Sequence, residues 1–383
     1  MRISAFAVAM ILANFCVHLE ARADTAEVDG SALWEAGSEA YAGGDLPKAR
    51  DLLLRAADAG NANAMNLLGA ILQKGLGGEI DLPGARKWYE AAAKSAALPG
   101  AMYNLAMMQR VGAGGPKDLA SARFWFEKSA TAGNVPAMDW MGYLSQNGEG
   151  APQDLAAARS WFQRAADHGD PDGLDRMGYY LDTGTGGPAN PQGAREMYRK
   201  AAETGLVRGM SHYANALYNG TGGPRDLSEA RAWAQKAADR GDTDAMGMLA
   251  TIYAYGQGVR VNHALARTWA KNGSEGGCSF AMPLYGYLLE NGLGGPKDLP
   301  EARRWYQRAA EAGDRIGMYD YGLALVRGKG GPKNTAEGRA WLKKAADLGD
   351  TDAKRYLARK GGGRSRAVQR RPSSSGYGAW LPF

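Results

Sequence analysis

From about residue 30 onward the hydrophobic and polar positions of the chain alternate between two helical patterns. The first begins at an Asp or Asn: Asp45, Asp81, Asp118, Asp154, Asn190, Asp226, Asn262, Asp298 or Asn334. Four residues later comes an Ala-Arg step, with Gly338 replacing the alanine in the ninth copy. Three residues beyond stand Trp88, Trp125, Trp161, Trp233, Trp269, Trp305 and Trp341, with Leu52 and Met197 in the other two copies. A small residue such as Ala56, Ser129 or Ala345 follows four further on. Residues three and four apart share one helical face, so this spacing predicts an amphipathic helix with a large and a small residue alternating toward a core. The leading Asp or Asn is a natural N-cap. Glu229, Glu301 and Glu337 extend the cap to a capping box, and Pro47, Pro83 and Pro300 fit the first turn. A glycine such as Gly60, Gly169 or Gly313 stops each helix.

The second pattern begins near polar residues such as Asn63, Asp172 or Asp244. It carries Met65, Met102, Met138, Leu174, Met210, Met246, Met282 or Met318. Three residues on comes Leu68, Leu105, Met141, Met177, Tyr213, Leu249, Tyr285 or Tyr321, and directly after it a glycine or alanine. An interior glycine costs a helix about 1 kcal/mol relative to alanine, so Gly69, Gly142, Gly178, Gly286 and Gly322 predict close helix crossing. Each second helix ends in a glycine loop such as Gly292-Leu293-Gly294-Gly295-Pro296. The interval between successive Ala-Arg steps is 36 residues, except for 37 between Ala85 and Ala122, with the extra residue near Ala96 and Ala97. A constant period of this length marks a solenoid, in which one helical hairpin stacks on copies of itself.

Charge adds a boundary. The net charge of +6 rests in the tails: residues 359–383 hold six Lys or Arg and no acid, and residues 1–23 hold Arg2 and Arg22 against Glu20. Without them 38 bases face 39 acids, so the repeats carry no net basic excess of the kind nucleic-acid binding uses. The apolar run from Ile3 to Val17, followed by Ala21-Arg22-Ala23, reads as an export signal cleaved after Ala23. Its removal leaves no stretch of membrane-spanning length and one cysteine, Cys278, so no internal disulfide is expected. The predicted parts are a signal peptide at 1–23, a repeat array at 24–359 and a disordered basic tail at 360–383. The tail ends in Tyr377-Gly378-Ala379-Trp380-Leu381-Pro382-Phe383, either a docking peptide or an idle end.

No constellation for catalysis or metal binding stands out, and no cofactor is expected. His168, His212 and His263 fall in different copies without a repeated partner and read as surface residues. The glycine loops lie between helices, with no preceding strand, and read as turns rather than phosphate cradles. The seventh copy departs from the pattern at Asn272-Gly273-Ser274-Glu275-Gly276-Gly277-Cys278, so its helix is expected to fray early. The positions that the repeat leaves free on the second helix lie one, five and eight residues after the Met or its equivalent, Leu174. They include Tyr103, Asp139, Tyr143, Asp175, Tyr179, Asp182, Tyr218, Tyr287 and Tyr319, candidates for a partner-binding surface, since tyrosine joins large contact area to a hydrogen-bonding tip. The other reading is a solvated or packed helix face.

The pattern Ala-Met-x-x-Leu-Gly, Gly-x-Gly, Asp-x-x-x-Ala-x-x-Trp and Ala-Ala-x-x-Gly, repeated over about residues 30 to 359, closely resembles the Sel1-like repeat, a relative of the tetratricopeptide repeat. The resemblance implies an all-α, right-handed superhelical solenoid of antiparallel helix pairs, with one helix of each pair lining a concave face. It also implies an adaptor, exported to the periplasm or secreted; with the charge balance and the missing constellation, the expectation is a non-catalytic binder of an unidentified protein or peptide, without a nucleic-acid partner. A cysteine-rich branch of the family is described as having β-lactamase or penicillin-binding activity. This chain lacks that branch's cysteines, and penicillin binding stays the first alternative. A scaffold for cell-wall polysaccharide, with tyrosines stacked on sugars, is the second.

Overall fold

A computed structural model describes residues 29–358. The signal peptide and the basic tail expected from the sequence lie outside the described residues. Nineteen helices and no strand occur among those described. In chain order they are α1 (Gly30–Ala42), α2 (Leu46–Asp58), α3 (Ala62–Lys74), α4 (Leu82–Ala96), α5 (Pro99–Val111), α6 (Leu119–Thr131), α7 (Val135–Asn147), α8 (Leu155–Asp167), α9 (Pro171–Thr183) and α10 (Pro191–Glu203). There follow α11 (Val207–Asn219), α12 (Leu227–Ala238), α13 (Thr243–Tyr255), α14 (His263–Glu275), α15 (Ala281–Asn291), α16 (Leu299–Glu311), α17 (Arg315–Arg327), α18 (Thr335–Asp347) and α19 (Thr351–Ala358). Even-numbered helices carry the Ala-Arg step, and odd-numbered helices from α3 to α17 carry the Met position. Helices α1 to α8 form one compact unit ending at His168, and α9 to α19 a second beginning at Gly169. The all-α solenoid expected from the sequence is the observed fold.

Local chemistry sets the helix starts. Each even helix is capped by the expected Asp or Asn; Asp118, for example, accepts from Ser121 N at 2.9 Å. The odd helices begin earlier than expected: their capping side chains include Asn61, Asp170 and Asp242, two residues before Asn63, Asp172 and Asp244. The expected capping boxes are only half made. The backbone N–H of Asp226, Asp298 and Asn334, which the glutamate would accept, donates instead to Leu217, Leu289 and Leu325 O. The same link, from the cap N–H to a carbonyl nine residues earlier, recurs at Asp81, Asp118, Asp154, Asn190 and Asn262 and ties each even helix from α4 onward to the odd helix before it. The inserted residue is absorbed by α4, which is 15 residues long and is followed by Ala97 in the left-handed region, φ 49°.

The glycine loops do more than turn. A Cβ on Gly77 would lie 2.3 Å from Leu46 O, and one on Gly294 2.1 Å from His263 O. The loop after one odd helix is therefore pressed on the first turn of the even helix of the preceding copy. The arginine of the Ala-Arg step secures it: Arg50, Arg86, Arg195 and Arg303 donate to Glu79, Pro116, Pro224 and Pro332 O at 2.8–2.9 Å.

The core corrects the expectation for tryptophan. Of the seven, Trp305 is buried, at 4 % exposure, and the other six are half-buried. The buried position is the next residue, held by Tyr89, Phe126, Phe162, Tyr198, Tyr306 and Leu342. The ring from this position presses on the glycine of the odd helix 20 residues earlier. A Cβ on Gly69, Gly142, Gly178 or Gly286 would stand 2.4–2.7 Å from the ring of Tyr89, Phe162, Tyr198 or Tyr306. Close crossing is thus observed, and the crossing partner is an aromatic side chain. Where that position is Ala234 or Ala270, the glycine is replaced by Ala214 or Ala250. The tryptophans lie at the margin. Trp233, Trp305 and Trp341 meet Tyr213, Tyr285 and Tyr321 edge-on, and Lys236, Arg308 and Lys344 lie over their rings.

The seventh copy is not shortened. Helix α14 keeps 13 residues, because Gly273 sits where a Cβ would come within 3.2–3.4 Å of Thr243 O, Ala281 Cβ and Gly247 N; its glycine serves close approach. The disturbance falls on α15, which starts late, has 11 residues and lacks a side-chain cap.

Candidate functional site

The positions that the repeat leaves free sit on the odd helices, and each unit builds them into a different surface. In the first unit the surface is aromatic. Phe126 lies nearly parallel to Trp140, ring centroids 5.7 Å apart, with Tyr103 edge-on to Phe126 and Tyr143 edge-on to Trp140. The Arg110 guanidinium lies over both Trp140 and Tyr143, at 4.5 and 5.4 Å from the ring centroids. Glu149 holds Arg110 in place with two hydrogen bonds, from Nε at 2.9 Å and Nη2 at 3.2 Å. A charge fixed against two rings is a rigid contact surface with a cationic edge. Tyr103, Asp139 and Tyr143 are all half-buried.

In the second unit the surface is polar. Asp175 on α9 is 2 % exposed and accepts from His212 Nδ1 at 2.6 Å and from Arg208 Nε. Arg208 Nη2 also reaches Asp172 at 2.9 Å. Burial disfavours the charged form of the Asp175 carboxyl and pushes its pKa up. The His212 hydrogen bond and charge, with those of Arg208, outweigh it and hold the group below the usual carboxylate range. His212 lies with its ring 5.0 Å from that of Tyr198. The expected surface role for His212 gives way to a half-buried one, since its side chain is 19 % exposed and hydrogen-bonded to Asp175. A His–Asp pair can activate a nucleophile, but the adjacent Ser211 Oγ donates to Asp242 at 3.0 Å. Cys278 is also withheld: burial, then the charge of Asp244, pushes its thiol well above the ordinary range.

Of the residues singled out in this unit, Asp175 and Tyr218 are committed inside. Tyr218 is 3 % exposed and its hydroxyl donates to Gln257 Oε1. Tyr319 is buried at 9 %. Asp175 meets Arg208 and His212 of α11, and Tyr218 meets Gln257 in the loop after α13, so both are covered by the next copy. Tyr179 and Tyr287 remain half-buried, and Asp182 is exposed. Sequence reasoning missed Trp140, Tyr198 and Arg208 and read His212 as a surface residue, because their contacts depend on the neighbouring copy. Among the described residues no cluster of His, Cys, Asp and Glu could hold a metal ion, and no helix is long and apolar enough to cross a membrane.

The Sel1 repeat model matches nine consecutive segments, residues 31–61, 62–96, 99–134, 135–170, 171–206, 207–242, 243–278, 279–314 and 316–350. The chain belongs to the Sel1 repeat family. Each family copy pairs an odd helix with the even helix after it, so the glycine loop lies inside the copy and α19 stands beyond the ninth. A protective antigen present in uropathogenic Escherichia coli strains, which displays an SLR fold, has a similar structure, with a TM-score of 0.69 and 27 % identity over 89 % of this chain and 81 % of that one. A Sel1 repeat protein from Oxalobacter formigenes gives a TM-score of 0.62 and 26 % identity over 80 % of this chain and 89 % of its own. A comparison with curated proteins gives no match. Sel1 repeat solenoids commonly serve as protein-interaction scaffolds.

Proposed function

We propose that this Sel1 repeat chain is a non-catalytic adaptor that holds a protein or peptide on the faces of its odd helices, in the periplasm or outside the cell. The observation that carries this reading is one column of side chains at a constant interval of 36 residues. In the first unit it runs Met107, Tyr143; in the second Tyr179, Asn215, Thr251, Tyr287, Leu323. Six of the seven are half-exposed, Thr251 being buried. A backbone held by repeated packing presents these side chains already ordered, which lowers the entropy lost on binding. Export rests on the sequence of residues 1–23 alone.

The test is affinity capture from bacterial envelope extracts with the mature chain, compared with Tyr143→Ala and Tyr179→Ala. Loss of the same captured protein, with an unchanged unfolding midpoint, supports the assignment. Capture that survives both substitutions overturns it. Covalent labelling of the chain by a labelled β-lactam would replace the adaptor reading with penicillin binding.

A further inference from the structure

Three copies repeat one contact between consecutive odd helices and the loop that follows. The residue eight after the Met meets the middle residue of the next Gly-x-Gly, 39 positions on: Arg110 with Glu149, Tyr218 with Gln257, Glu290 with Lys329. In the last of these, Glu290 also accepts from Tyr306 OH at 3.2 Å, so that carboxylate holds an ammonium group on one side and a phenol on the other.

Asp182 occupies the place of Glu290 in its own copy, and Tyr198 the place of Tyr306. The Tyr198 phenol feels the Asp182 charge, as the template requires. No lysine stands at the loop position that Lys329 fills for Glu290. Where Glu290 has Lys329, Asp182 has Thr221, too short and uncharged to pair with it. His212, the nearby cationic candidate, is engaged through Nδ1 with Asp175. Desolvation raises the Asp182 carboxyl above the usual range, with the His212 charge opposing it. Tyr179, one turn earlier on α9, presents a half-exposed ring along which an aliphatic stem can lie.

We propose that Asp182 anchors a cationic side chain, lysine or arginine, of the bound peptide, in the position that Lys329 fills internally for Glu290. The inference rests on the adaptor reading and deepens it by naming the chemistry that the second unit selects. Asp182 accepts the ammonium or guanidinium group, Tyr179 lies along its stem, and Asp175, already saturated by Arg208 and His212, takes no part in contact.

The probe is a phage-displayed library of random dodecapeptides, selected on the full chain and on Asp182→Asn and Thr221→Lys variants of matching thermal stability. Wild type should enrich peptides with lysine or arginine at one aligned position, and Asp182→Asn should bind them about tenfold more weakly. Thr221→Lys leaves the acid in place but supplies the internal cation, and it should remove the same preference. Enriched peptides without a basic position, or a basic position indifferent to both substitutions, overturn this inference and leave the adaptor reading standing. No enriched peptide at all overturns both.

Discussion

Arg110 and Glu149 are 39 residues apart in sequence and joined by two hydrogen bonds of 2.9 and 3.2 Å, on side chains only 20 % and 25 % exposed. The pair locks α5 to the loop after α7 and holds Arg110 over Trp140. Partial burial and bidentate geometry raise such a pair above an ordinary surface ion pair. In a double-mutant cycle, Arg110→Ala and Glu149→Ala should show a coupling of about 1–2 kcal/mol in urea unfolding. A coupling within error of zero would mean that Trp140 alone holds the guanidinium.

Glycine in the odd helices should resist replacement. Propensity alone has Gly142→Ala stabilise α7 by about 1 kcal/mol. A Cβ there would stand 2.4 Å from the Phe162 ring, so the substitution should destabilise by about 1–3 kcal/mol. With Phe162→Ala in the background, the same change should become neutral or stabilising, reproducing the Ala214 and Ala234 combination. Unfolding midpoints of the four chains decide the matter.

Asp175 should make the second unit acid-sensitive. Its carboxyl is held below the ordinary value, so its contribution is fully present above about pH 4 and is lost as pH falls through the folded value. Asp175→Ala leaves Arg208 half-paired and should cost about 3 kcal/mol at neutral pH. The difference from wild type should narrow as thermal unfolding is followed from pH 7 toward pH 3. A constant difference would remove Asp175 from the acid response.

Cys278 should be inert in the folded chain. Its side chain is 3 % exposed and burial disfavours the thiolate. A thiol-specific chromogenic reagent should label it at the rate at which the second unit opens, rising with urea. Rapid labelling without denaturant would refute the buried position.

The sequence alone determined the helices, their period and their even-helix caps, since these depend on contacts within a few residues: Asp118 reaching Ser121, or a glycine ending a helix. It also separated the repeated residues from the variable ones. It did not determine which of two adjacent aromatics enters the core. Trp161 and Phe162 lie about 100° apart on a helix of 3.6 residues per turn, both within a wide apolar stripe. The notch at Gly142 on the facing helix selects Phe162. Likewise, Asp175 looked like a surface acid until α11 brought Arg208 and His212 to it from 33 and 37 residues away. Register between copies decides such contacts, and it is set by glycine loops seated on the helix ends of the preceding copy. The correspondence of Asp182 with Glu290 becomes visible only once the structure shows Glu290 between Lys329 and Tyr306.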